Sequence, residues 1–209
     1  MTPPRSPAGQ ILVRADETDT DVLSQVIAEA FFDLPPSRWL VEDPALRREI
    51  FPAYFRLSVE HALACGLVHT TPDRDAVALW LPAGPGAPGL PGDYSARQAA
   101  LAGPLAGRFE AFDAALDAGH PVVAPHQHLA ILAVRPGRQG QHTGTTLLTA
   151  QHATLDIDGT PAFLEASGLD SRRLYLRHGY ADSGPRIDLP GGAALYPMWR
   201  QPQDPGRQR

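Results

Sequence analysis

The sequence predicts a mixed α/β protein in which helices flank one sheet. Residues 19–32 carry apolar side chains three and four positions apart, which is the spacing of one helix face. Residues 67–71 and 76–81 are two apolar and β-branched runs joined by a Pro-Asp-Arg turn, a pattern typical of a β-hairpin. Residues 127–155 pass from an apolar run through a glycine-containing loop into another helical pattern. This alternation of strand and helix patterns favours a mixed fold.

The first half of the chain begins with a strand and is then mainly helical. The first helix should be capped by Asp19 or Thr20 and should end near Pro36, because proline forces the preceding residue out of the α region. The predicted elements, in order, are a strand at 11–14, a helix ending at 32–36, a helix at 44–65 stopped by Gly66, the hairpin, a Pro/Gly-rich loop at 82–92 and a helix at 95–118 interrupted at Gly103.

The second half alternates more regularly between strands and helices. A strand at 127–134 leads through the glycine loop into a helix that should end near Asp156. The remaining predicted elements are a strand at 161–166, a short helix at 172–178 capped by Ser171, an extended segment at 180–189 and a last strand at 194–199. We expect a single domain over 11–200, a disordered Pro-rich lead-in at 1–10 and a loose tail at 201–209.

Composition excludes several classes of function. The chain has 209 residues, 43% of them hydrophobic, and a formal net charge of −5. This charge gives no electrostatic basis for binding nucleic acid or an anionic membrane. No apolar run approaches the ~18 residues needed to span a bilayer, and the start lacks the pattern of a signal peptide, so we expect a cytoplasmic protein. Cys65 is the single cysteine, which excludes an intrachain disulfide.

The loop within residues 135–144 has the character of an anion site. Unpaired N–H groups and the helix dipole make the first turn of a helix attractive to phosphate, and Gly140 and Gly144 allow close approach of a ligand. A P-loop needs a lysine, yet the chain contains none and all 18 basic residues are arginine. The glycine spacing also fails the dinucleotide-binding fingerprint. The sequence therefore predicts a different kind of phosphate site.

This segment resembles motif A of the GNAT acetyltransferases, which grips the pyrophosphate of acetyl-CoA. Matching positions are Val134, Pro136, Gln139, Gly140 and Gly144, while histidine stands at 142 where the family usually has Gly or Ala. The resemblance implies acetyl-CoA as the cofactor. The cofactor contacts that it implies are made by Leu132, Ala133, Val134, Gln139, Gly140, Gln141, His142, Thr143, Gly144 and Thr145.

A second segment is similar to GNAT motif B. Tyr175 and Gly179 match, Tyr180 replaces a phenylalanine, and Ser171 takes the place of an asparagine that contacts the cofactor. The two motifs together imply the GNAT fold, a central, mostly antiparallel sheet splayed between two parallel strands and flanked by helices. Similar segments at 30–39, 78–82 and 189–200 resemble the subgroup that contains puromycin N-acetyltransferase.

Acetyl transfer to an amine requires a neutral amine, a polarised thioester and a proton for the departing thiolate. The resemblance implies that Tyr175 is the general acid. His128 is the preferred base, because imidazole titrates near neutrality and alternation predicts that it shares a strand face with Val134. Glu165 on the neighbouring strand is the alternative base, and a water chain is a third possibility. Cys65, in a helix outside both motifs, argues against an acyl-enzyme.

The acceptor is expected to be the primary amine of a small molecule, such as an antibiotic or secondary metabolite. Candidate pocket residues are Phe31, Phe32, Asp33, Trp39, Tyr54 and Trp80. His120, His126 and His128 could suggest a metal, and alternation puts His126 and His128 on one side of a strand, but no third ligand at fixed spacing is evident, so no metal site is predicted. The alternatives are a protein N-terminal or lysine acetyltransferase and a non-catalytic acyl-CoA-binding module. We expect a monomer or homodimer.

Overall fold

The computed structural model describes residues 12–122 and 124–204, which form eight strands and seven α-helices. The strands are β1 (Val13–Arg14), β2 (Leu67–Thr70), β3 (Ala76–Ala83), β4 (His126–Val134), β5 (Ala162–Ala166), β6 (Ala181–Asp182), β7 (Ile187–Asp188) and β8 (Ala194–Arg200). The helices are α1 (Thr20–Phe31), α2 (Pro35–Leu40), α3 (Pro44–Cys65), α4 (Tyr94–Ala102), α5 (Ala106–Gly119), α6 (Thr143–Ile157) and α7 (Leu169–Arg177).

The strands form one open sheet in the order β1-β2-β3-β4-β5-β8-β6, and β7 pairs with β8. Strands β4 and β5 run parallel, whereas every other pair in the described residues is antiparallel. The predicted hairpin corresponds to β2 and β3, whose register joins Leu67 to Trp80 and Thr70 to Val77. The predicted α/β fold class, a mostly antiparallel sheet flanked by helices, is confirmed.

Helices cover both faces of the sheet, and each face has its own hydrophobic cluster. One cluster, here the α1-side cluster, joins the sheet to the helices of the first half of the chain, with members such as Ile27, Phe51, Phe109, Ile131 and Ala133. The other, the α6-side cluster, joins the sheet to α6 and α7, with members such as Trp80, Leu129, Leu147, Leu164 and Tyr175. Core burial on both faces holds β4 and β5 in the middle of the molecule.

The helical pattern at 19–32 forms α1, and α3 has the predicted bounds. Asp43 caps α3 by accepting a hydrogen bond from the backbone N–H of Ala45, and Gly66 follows its last residue. Helix α1 ends at Phe31, close to the predicted end at 32–36, but the reason given for that end was wrong, since Pro35 is the first residue of α2, a helix that the sequence did not predict. Proline is tolerated in the first turn, where the backbone N–H groups have no partner within the helix.

Helix α7 differs from its predicted start. It begins at Leu169, and Ser171 therefore lies inside the first turn, where its hydroxyl donates to the carbonyl of Gly168 at 3.0 Å. Ser171 is not the N-cap that its residue type indicated. The predicted lead-in at 1–10 lies outside the described residues, as does part of the predicted tail.

Within the described part of the chain, none of the helices is long and apolar enough to cross a membrane.

Candidate active site

The parallel strands β4 and β5 are joined only at one end. Gln127 pairs with Ala162 and His128 with Phe163, and the pairing stops there although both strands continue. On its other edge β4 stays paired with β3 up to Val134. The two central strands therefore diverge beyond His128. Their facing backbone groups have no strand partner in this gap, so they are free to bind an extended ligand.

A β-bulge in β4 changes which side chains share a face. Leu79 pairs with Ile131 and Trp80 with Leu129, so Ala130 is the extra residue. Leu129 belongs to the α6-side cluster and Val134 packs against it, so both lie on the same face of the sheet. Residues five positions apart in a regular strand would lie on opposite faces. His128, next to Leu129, lies on the opposite face. The expectation that His128 and Val134 share a face was wrong because the bulge reverses the alternation.

His128 is joined to Glu165 across the gap between the strands. Nε2 of His128 lies 2.9 Å from Oε2 of Glu165, whose side chain is only 7% exposed. Burial raises the pKa of Glu165, but the adjacent His128 and His120 lower it further than burial raises it, to about 2. The ionised carboxylate only accepts, so Nε2 of His128 carries the proton of this contact. In the neutral form of His128, the lone pair then lies on Nδ1.

A second histidine, His120, approaches the same carboxylate, and His126 contacts His120 from the other side. His120, which follows the last residue of α5, places Nδ1 3.8 Å from Oε1 of Glu165 and Nε2 3.2 Å from Nε2 of His126. His126 in turn contacts the carbonyl of Ala124 through Nδ1 at 2.9 Å. Their clustering within nine positions of the sequence was visible, but the carboxylate that unites His120 with His128 comes from β5.

The predicted anion loop lies at the opposite end of β4. Residues 136–142 are exposed, Gly140 has a φ of 78°, and His142 has a φ of 61° immediately before α6. Histidine adopts this left-handed conformation more readily than most residues. No side chain caps the start of α6 in the described structure, so its first backbone N–H groups are available to an anion. Gln139 is turned back, donating to the carbonyl of Val134 at 3.2 Å.

Arginine and acidic side chains hold this loop against the sheet. Arg135 contacts Asp75 at 3.0 Å and Glu29 at 2.7 Å, and Arg138 contacts Asp75 at 2.8 Å. The backbone N–H of Arg135 also donates to the carbonyl of Asp75 at 2.8 Å. The loop that leads into α6 is therefore anchored at its first residues, which favours a preformed site.

Tyr175 of α7 lies on the α6-side face of the sheet. It is 7% exposed, and burial raises the pKa of its phenol well above the usual range. Its ring meets that of Tyr180 edge to face at 5.7 Å. His128 and Tyr175 thus lie on opposite faces of the sheet, and the gap between β4 and β5 connects the two faces.

A buried histidine supports the tyrosine pair from α6. Nε2 of His152 lies 3.1 Å from the hydroxyl of Tyr180, and its ring packs against Trp80 at 6.0 Å. Burial, with a contribution from Arg200, lowers the pKa of His152 to about 3. The folded protein therefore keeps this ring neutral at pH values where an exposed histidine takes up a proton.

We expect acid to destabilise the fold through His152. Below a pH of about 6.5 the unfolded chain protonates this residue and the folded chain does not, so stability falls as pH falls toward 3, by up to ~1.4 kcal/mol per pH unit. Urea unfolding of H152Q between pH 7 and pH 4 should show a weaker pH dependence than the parent protein. H142Q, at an exposed position, serves as the matched control, and an equal pH slope in H152Q and the parent would contradict the assignment.

The residues predicted to line the pocket for the acceptor amine fall into two groups in the structure. Phe31, Tyr54 and Trp39 pack in or against the α1-side cluster, on the face that carries His128. Trp80 is fully buried in the α6-side cluster, so the structure does not bring it together with the others. A pocket-lining role for Trp80 was based on its residue type alone.

Asp33 and Phe32 lie at the exposed end of α1 beside two arginines. Arg38 contacts the Asp33 carboxylate at 3.1 Å and the buried Arg47 approaches it at 3.9 Å. The Arg47 guanidinium also stacks over the Phe32 ring, 4.4 Å from its centroid. The charge of Asp33 is therefore already shared between two cations, which weakens its candidacy as a receptor for a cationic substrate.

Comparisons with known proteins identify the fold. No family model and no curated protein sequence matches this chain. Among solved structures, an acetyltransferase from Corynebacterium glutamicum described as histone acetyltransferase HPA2 and related acetyltransferase is 24% identical, with a TM-score of 0.68 over 93% of this chain and 97% of that one.

Two other structures extend the likeness. Arylalkylamine N-acetyltransferase 2 from Aedes aegypti is 14% identical, with a TM-score of 0.59 over 92% of this chain and 98% of that one. The PaiA N-acetyltransferase from Thermoplasma acidophilum in complex with coenzyme A is 12% identical, with a TM-score of 0.53 over 91% and 97%. The chain thus has the fold of the GNAT acetyltransferases.

Proposed function

We propose that the protein is an N-acetyltransferase that moves the acetyl group of acetyl-CoA to a primary amine of a small molecule. The observation that carries this proposal is the gap between β4 and β5, with the His128–Glu165 pair on one face of the sheet and Tyr175 on the other. In this arrangement the acceptor amine approaches from the α1-side face and the thioester from the α6-side face. Attack is direct, within a ternary complex.

The structure offers fitting contacts for acetyl-CoA. The unpaired edge of β4 at Leu132, Ala133 and Val134 suits an extended chain with amide groups, and the uncapped start of α6 suits a pyrophosphate. Residues 139–145 would surround the phosphates, and Ser171 at the start of α7 is the remaining cofactor candidate. The cofactor supplies the activated acyl thioester, and the chain supplies binding, orientation and proton movement.

His128 is favoured over Glu165 as the proton acceptor. One carboxylate oxygen of Glu165 is engaged by His128 and the other is fully buried, so neither oxygen faces an incoming amine. Nδ1 of His128 keeps its lone pair when Nε2 is held by this carboxylate. Glu165 is therefore a positioning residue that sets the orientation and tautomer of His128.

Tyr175 is proposed as the hydrogen-bond donor to the departing sulfur. Because burial raises its pKa, the phenol keeps its proton across the neutral range and can stabilise developing thiolate charge. Cys65 offers no covalent alternative, since burial raises the pKa of its thiol and its sulfur contacts His61 at the end of α3. A thiol that stays protonated is a poor nucleophile.

The aromatic side chains of α1, α2 and α3 support a small-molecule acceptor. Phe31 and Trp39 are half-buried against the α1-side cluster, and Tyr54 is buried within it. This aromatic environment on the face of the proton acceptor suits a compact organic amine more than a polar peptide. The sequence resemblance to the puromycin N-acetyltransferase subgroup makes antibiotics and secondary metabolites the favoured class.

The proposal is tested by measuring thiol release from acetyl-CoA with a panel of amines. We expect turnover with at least one arylalkylamine, aminonucleoside or other small primary amine, at a rate above that of peptides with free N-terminal or lysine amines. Preference for peptides would favour a protein acetyltransferase instead. Calorimetric binding of coenzyme A without turnover for any amine would show an acyl-CoA-binding module and overturn the enzymatic proposal.

A further inference from the structure

Glu165 is approached by His120 as well as by His128, so the cluster contains one more polar side chain than the proposed base and its partner. One nitrogen each of His120 and His128 and an oxygen of Glu165 all lie within 4.8 Å of one another. The three residues come from different parts of the chain, since His120 directly follows α5, His128 lies in β4 and Glu165 lies in β5. Two imidazole nitrogens with one carboxylate oxygen are a donor set that suits zinc and other divalent transition metals.

The hydrogen bonds of His126 with Ala124 and His120 determine which nitrogen of His120 carries a proton and which nitrogen has a lone pair. A carbonyl oxygen only accepts, so Nδ1 of His126 donates to Ala124 at 2.9 Å. In the neutral ring Nε2 of His126 is then an acceptor, and it accepts a hydrogen bond from the Nε2–H group of His120 at 3.2 Å. In the neutral ring of His120, Nδ1 is then the nitrogen with the lone pair. Second-shell hydrogen bonds of this kind orient metal-binding histidines.

Glu165 provides the second, independent observation. Its side chain is 7% exposed, and its Oε1 atom is fully buried with no hydrogen-bond partner among the described residues. This oxygen lies 3.8 Å from His120 Nδ1, beyond hydrogen-bond distance. A buried carboxylate oxygen facing the lone pair of a neutral imidazole is costly. Either a proton on His120 Nδ1 or a metal cation between the two atoms removes this cost.

We propose that His120 Nδ1, His128 Nε2 and a carboxylate oxygen of Glu165 bind a divalent transition metal ion, for which Zn²⁺ is the best match. The bound ion satisfies the buried Glu165 oxygen and the lone pair of His120 Nδ1, and it takes the place of the proton on His128 Nε2. Zinc bonds to nitrogen and oxygen are about 2.0–2.2 Å long, so a small rotation of His120 at the end of α5 brings the three donors into range. Three protein ligands leave the fourth position to solvent.

Metal binding and proton abstraction compete for the same histidine. Coordination through Nε2 moves the His128 proton to Nδ1, which is the atom proposed to accept the proton of the amine. The metal-bound protein is therefore unable to use His128 as a base. The expectation that Zn²⁺ inhibits acetyl transfer rests on the proposed function, whereas the expectation that the protein binds Zn²⁺ does not.

The test measures binding directly, with Zn²⁺ by calorimetry and with Co²⁺ by its visible absorption, on the full chain freed of metal by a chelator. We expect one site per chain. H120N should weaken Zn²⁺ binding by about 100-fold or more, and H126N by about 10–100-fold through loss of the second-shell contact. H142N, at an exposed histidine, is the matched control and should bind as the parent does.

Equal affinity in the parent and H120N would overturn the site, as would loss of binding in H142N alone. Circular dichroism and the melting temperature of each variant show whether it remains folded, and E165Q gives a second route to the same loss of binding. If Zn²⁺ binds with the expected pattern but no amine is acetylated, the metal site stands and the acetyltransferase proposal fails. If amines are acetylated and Zn²⁺ neither binds nor inhibits, the reverse holds.

Discussion

Replacing Tyr175 by phenylalanine is expected to lower kcat by about 10²–10³-fold, with little change in the binding of coenzyme A. The substitution keeps the ring and its packing against Tyr180 but removes the hydroxyl. That hydroxyl makes no hydrogen bond to another described residue, so its loss leaves no buried partner unsatisfied. The whole effect should therefore appear as lost stabilisation of the departing thiolate. Steady-state thiol release measures kcat, and calorimetry measures the binding of coenzyme A.

Y180F is the matched control, because it removes a hydroxyl from the other tyrosine of the same edge-to-face pair. The Tyr180 hydroxyl lies 3.1 Å from Nε2 of the buried His152, so its removal should lower the free energy of unfolding by ~1 kcal/mol or more and leave kcat nearly unchanged. Full kcat in Y175F, with a loss only of stability, would instead make Tyr175 a packing residue.

The parts of the fold that the sequence predicts well are those governed by local periodicity. Short segments of sequence are enough to predict α1, α3, the β2–β3 hairpin and the strand-loop-helix unit around Gly140. The failure to predict α2 also has a local cause. Two prolines in succession indicate a break, yet they also fit the first turn of a helix, and the choice between these depends on packing beyond the segment.

The bulge at Ala130 illustrates what local periodicity does not determine. The run 127–134 is apolar enough to be a strand, but nothing in it marks the one-residue slip against β3 that turns His128 to the α1-side face. A one-residue shift exchanges every side chain between the two faces of a sheet. His128 was found as a candidate from its position in the strand, while its face depended on a pairing between distant segments.

The grouping around Glu165 depends even more on tertiary structure. His120, His126 and His128 could be noted as a histidine-rich stretch, but the carboxylate that His120 and His128 approach follows 37 positions after His128 and is brought in by the parallel pairing of β4 and β5. Spacing along the chain predicts metal ligands only when they share an element or a loop. Here three elements contribute one donor each, so the sequence predicts no metal site and the fold provides the donors for one.

Replacing His128 by glutamine is expected to lower kcat/KM by about 10²–10³-fold for an alkylamine acceptor. Such an amine, with a pKa near 10, is almost entirely protonated at neutral pH and depends on a proton acceptor at the site. An acceptor amine whose pKa lies below the assay pH arrives neutral and should lose far less, about tenfold or less. The measurement is kcat/KM against a series of amines of similar shape and graded basicity, for the parent and H128Q.

The dependence on amine basicity distinguishes a base from a residue that only shapes the site. A packing defect at His128 would slow all acceptors by a similar factor, because each must occupy the same position between the strands. H61Q replaces another buried histidine, at the end of α3, and should leave the whole series unchanged. E165Q should follow H128Q in its dependence on amine basicity with a smaller loss, since it releases the ring of His128 without removing Nδ1. A uniform loss in H128Q, together with a graded loss in E165Q, would assign the proton acceptor to Glu165 instead.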